Sequence, residues 1–189
     1  MGLAILASLV IILAILAAIG YLIAIYNSLV RLRNDIDKAW ANIGVLLKQR
    51  HDELPKLMET CKAYMQHEEK TLREIIEART AFRKAETVPE KAQAHGRLSE
   101  ALGNLFALAK SYPDLKGNRN FTQLQSRILE LEAKIAERRE LFNDDVNAYN
   151  SRIQELPEVL IARTMKLAPK DGFRLAEEEG PRDAPGRTQ

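Results

Sequence analysis

The sequence predicts an all-α protein: one N-terminal transmembrane helix followed by an antiparallel up-down four-helix bundle. Three observations predict it. The first 30 residues carry no charged side chain. Beyond them, apolar residues return at steps of three and four, the repeat of one helical face. Aromatic residues are only 6% of the chain and charged residues 29%, a composition that suits long helices better than sheets.

The anchor comes first. Residues 3 to 26 are Leu, Ile, Ala and Val, broken only by Ser8, Gly20, Tyr21 and Tyr26. At a rise of about 1.5 Å per residue this run spans roughly 36 Å, against a hydrocarbon core of about 30 Å. Its branched aliphatic side chains favour insertion by up to roughly 4–8 kcal/mol in total. Tyr21 and Tyr26 lie toward the exit end, where amphipathic rings favour the headgroup region. A cleaved signal peptide would instead have a basic leading segment and a shorter apolar run. Arg31, Arg33 and Lys38 follow the span and no basic side chain precedes it, so the positive-inside rule expects the bundle in the cytoplasm. A lone thiol, Cys61, agrees with a reducing compartment.

The bundle is expected over residues 27–165, in helices near 27–53, 55–85, 90–111 and 119–156. Leu29, Leu32, Ile36, Trp40, Ile43 and Leu47 make the first seam. Leu57, Cys61, Tyr64, Leu72, Ile75, Ala78 and Phe82 make the second. Leu98, Leu102, Leu105, Ala109 and Tyr112 make the third. The fourth runs from Phe121, Leu124, Ile128, Leu131 and Ile135 to Phe142, Val146, Tyr149, Ile153 and Leu156. Trp40, Ile43, Leu102, Leu105, Leu131 and Ile135 are expected to be buried together. Breakers divide the pattern. Pro55 should end the first helix, with a continuous helix kinked at Pro55 as the alternative. Thr87-Val88-Pro89-Glu90 is a start signal, and Tyr112-Pro113-Asp114-Leu115-Lys116-Gly117-Asn118 reads as a loop. Short connections make sequence neighbours antiparallel. Residues 166–189, rich in Gly, Pro and scattered charge, read as a largely disordered tail, with Phe173 as the exception.

Chemistry-bearing patterns mostly fail. His67-Glu68 resembles the start of a zinc-protease helix, but the position of the second histidine holds Thr71. Glu130, Glu132, Glu137 and Glu140 lack the histidine three residues on that a di-iron bundle requires. There is no glycine-rich phosphate loop and no nucleophile elbow. No catalytic, metal or cofactor residue is therefore expected, and a net charge of +2 gives no field for gripping nucleic acid.

Asparagines stand out instead. Asn143, Asn147 and Asn150 flank the seam of the last helix, and Asn27, Asn34 and Asn42 recur on the first. Asn is a poor residue for a helix interior because its side chain competes for backbone bonds. Two such stripes predict hydrogen bonds between the helices. In an up-down bundle Asn27 and Asn34 would lie beside Asn143, Asn147, Tyr149 and Asn150 as a structural clasp. A turn at His51-Asp52 would meet the loop bearing Asp114 and Lys116 at the far tip, forming a partner surface.

The same residues carry a resemblance. Tyr26-Asn27-Ser28-Leu29-Val30, Arg31-Leu32-Arg33-Asn34 and Ala39-Trp40-Ala41-Asn42-Ile43 look like the LemA family. So do Leu47-Lys48-Gln49-Arg50-His51-Asp52 with Leu54-Pro55, and Glu59-Thr60, Tyr64 and His67-Glu68. Tyr112-Pro113-Asp114-Leu115-Lys116 with Asn118 and Asn120-Phe121 is similar to that family's loop. Phe142-Asn143-Asp144, Val146, Tyr149-Asn150 and Pro157 are similar to its last helix. Gly44, Leu46 and Phe142 depart from the usual Asp, Gln and Tyr. Gly44 either weakens its helix by about 0.5–1 kcal/mol or marks a close backbone approach. The resemblance implies a single-pass protein of the bacterial cell membrane with no established enzyme activity. A non-enzymatic structural or protein-interaction module is the function expected. A signalling adaptor or regulator of a neighbouring membrane protein is the alternative, and a metal-binding bundle the remote one. The partner is expected to be another protein, with homo-oligomerisation open.

Overall fold

The computed structural model describes residues 2–65 and 67–175. Among them there are helices and no strand: α1 (Gly2–Lys62), α2 (Glu69–Lys84), α3 (Val88–Leu108), a 3-10 turn (Ala109–Ser111), α4 (Pro113–Gly117), α5 (Arg119–Arg152) and α6 (Glu158–Thr164). The N-terminal part of α1 is long and apolar enough to cross a membrane, and only 6% of its most apolar window is buried against protein.

Pro55 does not end the first helix. α1 runs for 61 residues straight through it. A proline inside a helix costs about 3 kcal/mol or more. Leu54, Leu57, Met58 and Cys61 around it are all buried, and each such side chain gains about 1.5–3 kcal/mol from burial, so packing overrides the local breaker. The expected second helix therefore splits. Its first half belongs to the end of α1, and Leu72, Ile75 and Ala78 form the buried face of the shorter α2. The start signal at Thr87 is present: Thr87 accepts from the Glu90 amide while the Glu90 carboxylate accepts from the Thr87 amide, a capping box. The expected loop at 112–118 contains the short helix α4, and the Asn118 side chain caps α5 by accepting from the Phe121 amide.

The chain divides into two compact units. The first comprises Met1–Lys38 and Asp144–Lys170. It buries Ile25, Leu29 and Ile36 from α1, Val146 and Tyr149 from α5, and Ile153 and Ala162 beyond them. Arg152 donates to the Ser28 hydroxyl at 2.8 Å and pairs with Glu158 at 3.2 Å. The second unit comprises Ala39–Asn143 and Asp171–Gln189. Its main core joins Leu54, Leu57, Cys61, Leu72, Ile75, Leu98, Leu102, Leu105, Phe121 and Ile128. Ile43, Leu131 and Ile135 are buried as expected, whereas Trp40 is only half-buried. Its ring rests on Phe142 at 5.5 Å and on Phe173 at 5.6 Å between centroids. The glycine at 44 marks no close approach, since a Cβ there would meet nothing within 4 Å. Of the tail expected to lack structure, residues 166–175 are placed and Phe173 is fully buried. Residues 176–189 lie outside the described residues.

Candidate functional site

Each element of the expected clasp and tip has a definite place. Asn27, Asn34 and Asn42 are exposed on α1, and none has a side-chain hydrogen bond among the described residues. The first helix therefore contributes no asparagine to a clasp. The last helix does, but its partner is irregular backbone rather than a helix. In the first unit, Asn150 Nδ2 donates to the Lys170 carbonyl at 2.9 Å, and the Lys170 amide donates to Asn150 Oδ1 at 2.9 Å. The Tyr149 hydroxyl donates to the Ala168 carbonyl at 3.3 Å. In the second unit, Asn143 Nδ2 donates to the Phe173 carbonyl at 3.2 Å, and the Phe173 amide donates to Asn143 Oδ1 at 2.8 Å. A carboxamide has one acceptor and two donors on one planar group. Each of these asparagines thus satisfies both backbone groups of one residue outside any helix, as a neighbouring strand would. Asn147, between them in sequence, is exposed.

The turn expected at His51-Asp52 is absent. His51 lies inside α1, not at a turn, and is only 8% exposed. Its ring packs on Phe82 at 4.2 Å between centroids. Asp52, Asp114 and Lys116 are exposed. The α4 region is tied instead to the segment that follows α1: Tyr112 donates to Glu68 at 2.9 Å, and Asn118 donates to the Tyr64 hydroxyl at 3.1 Å.

The most conspicuous polar group of the second unit went unnoticed in the sequence. Arg50 is 1% exposed. Its Nη1 lies 2.9 Å from His95 Nδ1 and 2.6 Å from Glu132 Oε2, and Nη1 and Nη2 both donate to Ser99 Oγ at 3.2 Å. Ser99 in turn donates to Glu132 Oε1 at 2.7 Å. Three helices, α1, α3 and α5, meet on this one guanidinium. A signal for it existed: the buried series Ile43, Leu47, Arg50, Leu54, Leu57 and Cys61 steps by four and three, so Arg50 holds a seam position where an apolar residue belongs. His95 does the same on α3, three residues before Leu98.

Electrostatics follow from burial. Desolvation lowers the Arg50 pKa, and the Glu132 carboxylate opposes that. Burial, then the charge of Arg50, lowers His95 to about 3, so the imidazole is neutral and its Nδ1 accepts the Arg50 proton. Burial also pushes the Cys61 thiol up to about 11, which leaves it protonated and unreactive. Ser99, His95 and Glu132 share the composition of a hydrolase triad but not its geometry. The Ser99 hydroxyl points at the carboxylate, not at an imidazole nitrogen, and its oxygen already accepts from Arg50. Among the described residues no group of three His, Cys, Asp or Glu side chains is placed to hold a metal ion.

Comparison with known proteins adds the lineage. Magnetosome proteins MamQ 1 and MamQ 2 of Paramagnetospirillum magneticum are each 33% identical to this chain over 64 residues, 34% of this chain and 24% of theirs. The match thus spans about a quarter of the length of those two relatives. Protein LemA of Metamycoplasma hominis is 25% identical over 154 residues, 81% of this chain and 70% of that protein. The LemA family model matches residues 39–186, and on that match the chain belongs to the LemA family.

Proposed function

We propose that the protein is a non-enzymatic interaction module held at the bacterial cell membrane by α1, with its helical body in the cytoplasm. The carrying observation is the apolar N-terminal part of α1, long enough to cross a membrane, on a chain that belongs to the LemA family. The arrangement around Arg50 supports the non-enzymatic part, because Ser99, His95 and Glu132 are all engaged in binding one another or the guanidinium. The basic residues Arg31, Arg33 and Lys38 after the apolar run support the orientation. With His51 buried, the accessible partner surface reduces to the exposed Asp114 and Lys116 on α4, and Asp52 on α1.

Affinity capture of the full chain from detergent-solubilised membranes tests this reading. A protein partner that is retained by the wild type and lost by the Asp114→Ala/Lys116→Ala double variant, at unchanged stability, is the expected result. Capture that the double variant leaves intact removes α4 from the interface. Impermeant thiol reagents applied to intact cells bearing a Cys substitution in the tail test the orientation: ready labelling contradicts a cytoplasmic body.

A further inference from the structure

Beside the Arg50 contacts, and independent of the asparagine contacts, the second unit has a basic cavity of about 430 Å³ between α1, α2 and the start of α3. Lys48, His51 and Asp52 line it from α1, Arg79, Phe82 and Arg83 from α2, and Lys91 from α3. Four cationic side chains therefore face one carboxylate. None of the four has an ion-pair partner among the described residues, although the Lys91 ammonium also lies 5.7 Å from the centre of the Trp40 ring. Behind its wall, His51 Nε2 and Arg79 Nε are shielded from solvent and have no hydrogen-bond partner among the described residues. Buried polar nitrogens without partners are costly, and each requires an explanation.

Part of the charge has an ordinary role. Arg83 lies in the last turn of α2, where a cation is favourable to the helix dipole. That role does not reach Arg79, a full turn earlier, nor Lys48 and Lys91 on other helices, nor the His51 nitrogen. Burial, then the charges of Arg50, Arg79 and Arg83, lower the His51 pKa to about 4, and only Asp52 opposes them.

We propose that this cavity is a binding site for a small soluble molecule bearing a phosphoryl group, held by Arg79, Arg83, Lys48 and Lys91 beside the His51 ring. A phosphoryl group matches the chemistry better than a monocarboxylate. It carries more than one negative charge against an excess of three cations, and its oxygens suit the planar fork of arginine. The volume exceeds a bare phosphate and lies within the range of small-molecule sites. The stacked rings of His51 and Phe82 supply an apolar wall for the rest of such a molecule.

The test uses the full chain in detergent micelles and follows the ring protons of its three histidines by NMR during titration with pyrophosphate and, separately, inorganic phosphate. Sodium chloride at matched ionic strength is the control. The site predicts a saturable shift of the His51 resonance that salt does not reproduce, with little change at the exposed His67. The bound anion should raise the His51 titration midpoint by about one unit or more. Arg79→Gln should weaken binding by about tenfold or more, the loss expected for a charged hydrogen bond. If that variant does not fold, Lys48→Gln, at an exposed position, and Lys91→Gln should each weaken it less. Three results would overturn the proposal. One is no saturable shift with either anion at millimolar concentration. Another is a shift equal to that produced by sodium chloride. The third is a shift produced only by vesicles containing phosphatidic acid, which would make the ligand a lipid headgroup rather than a soluble molecule.

Discussion

Helices α1 and α5 carry matching stripes of asparagine, and only one stripe is used. Asn27, Asn34 and Asn42 sit at steps of seven and eight on α1 and are exposed. Asn143 and Asn150 sit seven apart on α5, and each is bonded to both backbone polar groups of one residue outside any helix. Residue type and spacing are the same, so neither decides the outcome. What differs is the neighbour. A helix offers a facing asparagine no free backbone groups, because its own ladder consumes them. Residues 168–173 belong to no helix or strand, so their amides and carbonyls are still to be satisfied. An asparagine stripe on a helix therefore points to an irregular segment of chain as its partner, more than to another helix.

The contrast extends to charge, and its largest test lies there. Arg50 of α1 is joined to two other helices by several bonds in the second unit. Glu132→Ala should leave its guanidinium buried with its carboxylate partner gone, at a cost of about 3–5 kcal/mol. Chemical denaturation of the full chain in detergent checks this. A loss near zero would mean that the interior readmits water and that Arg50 is not a lock.

Acid should act next. His51 and His95 are held at about 4 and about 3, chiefly by burial. Both are depressed below the unfolded value near 6.5, so the folded chain keeps them neutral while the unfolded chain takes up protons. Their contribution to stability is complete above about pH 6.5 and is lost as pH falls through about 4 and then about 3. Between about pH 7 and pH 5 the two together should lower stability by roughly 2–4 kcal/mol. A flat profile over that window contradicts their burial as neutral groups. The same profile should be shallower in His51→Gln.

Asn150→Ala and Asn143→Ala should each cost about 1–3 kcal/mol, since each leaves a backbone pair without its partner. Asn34→Ala and Asn27→Ala, by contrast, should change stability by less than about 0.5 kcal/mol. Thermal unfolding of the four single variants places them in that order or breaks the comparison. Equal losses on the two helices would restore a clasp between them.

Much of this was legible in the sequence, and the misses have physical causes. The apolar run, the seams and the capping box at Thr87 are local patterns, and local patterns survive in one dimension. Pro55 misled because breaker strength is a backbone property, while Leu54, Leu57, Met58 and Cys61 are buried by chain far away in sequence. Arg50 was readable as a charge on an apolar seam, but its partners His95, Ser99 and Glu132 lie 45 or more residues away. The ordered start of the tail could not be read from composition, because Gly172 and Pro169 look like any linker. Only Phe173, a lone aromatic among them, hinted that the segment returns to the protein.

The central claim is that α5 asparagines hold the irregular backbone that follows α6, and amide hydrogen exchange reads it directly. In the full chain the Lys170 and Phe173 amides, which donate to Asn150 and Asn143, should exchange far more slowly than the same residues in a free peptide. Asn150→Ala should release protection at Lys170. Exchange at the free-peptide rate in the wild-type chain, or protection unchanged in the variant, would contradict the account.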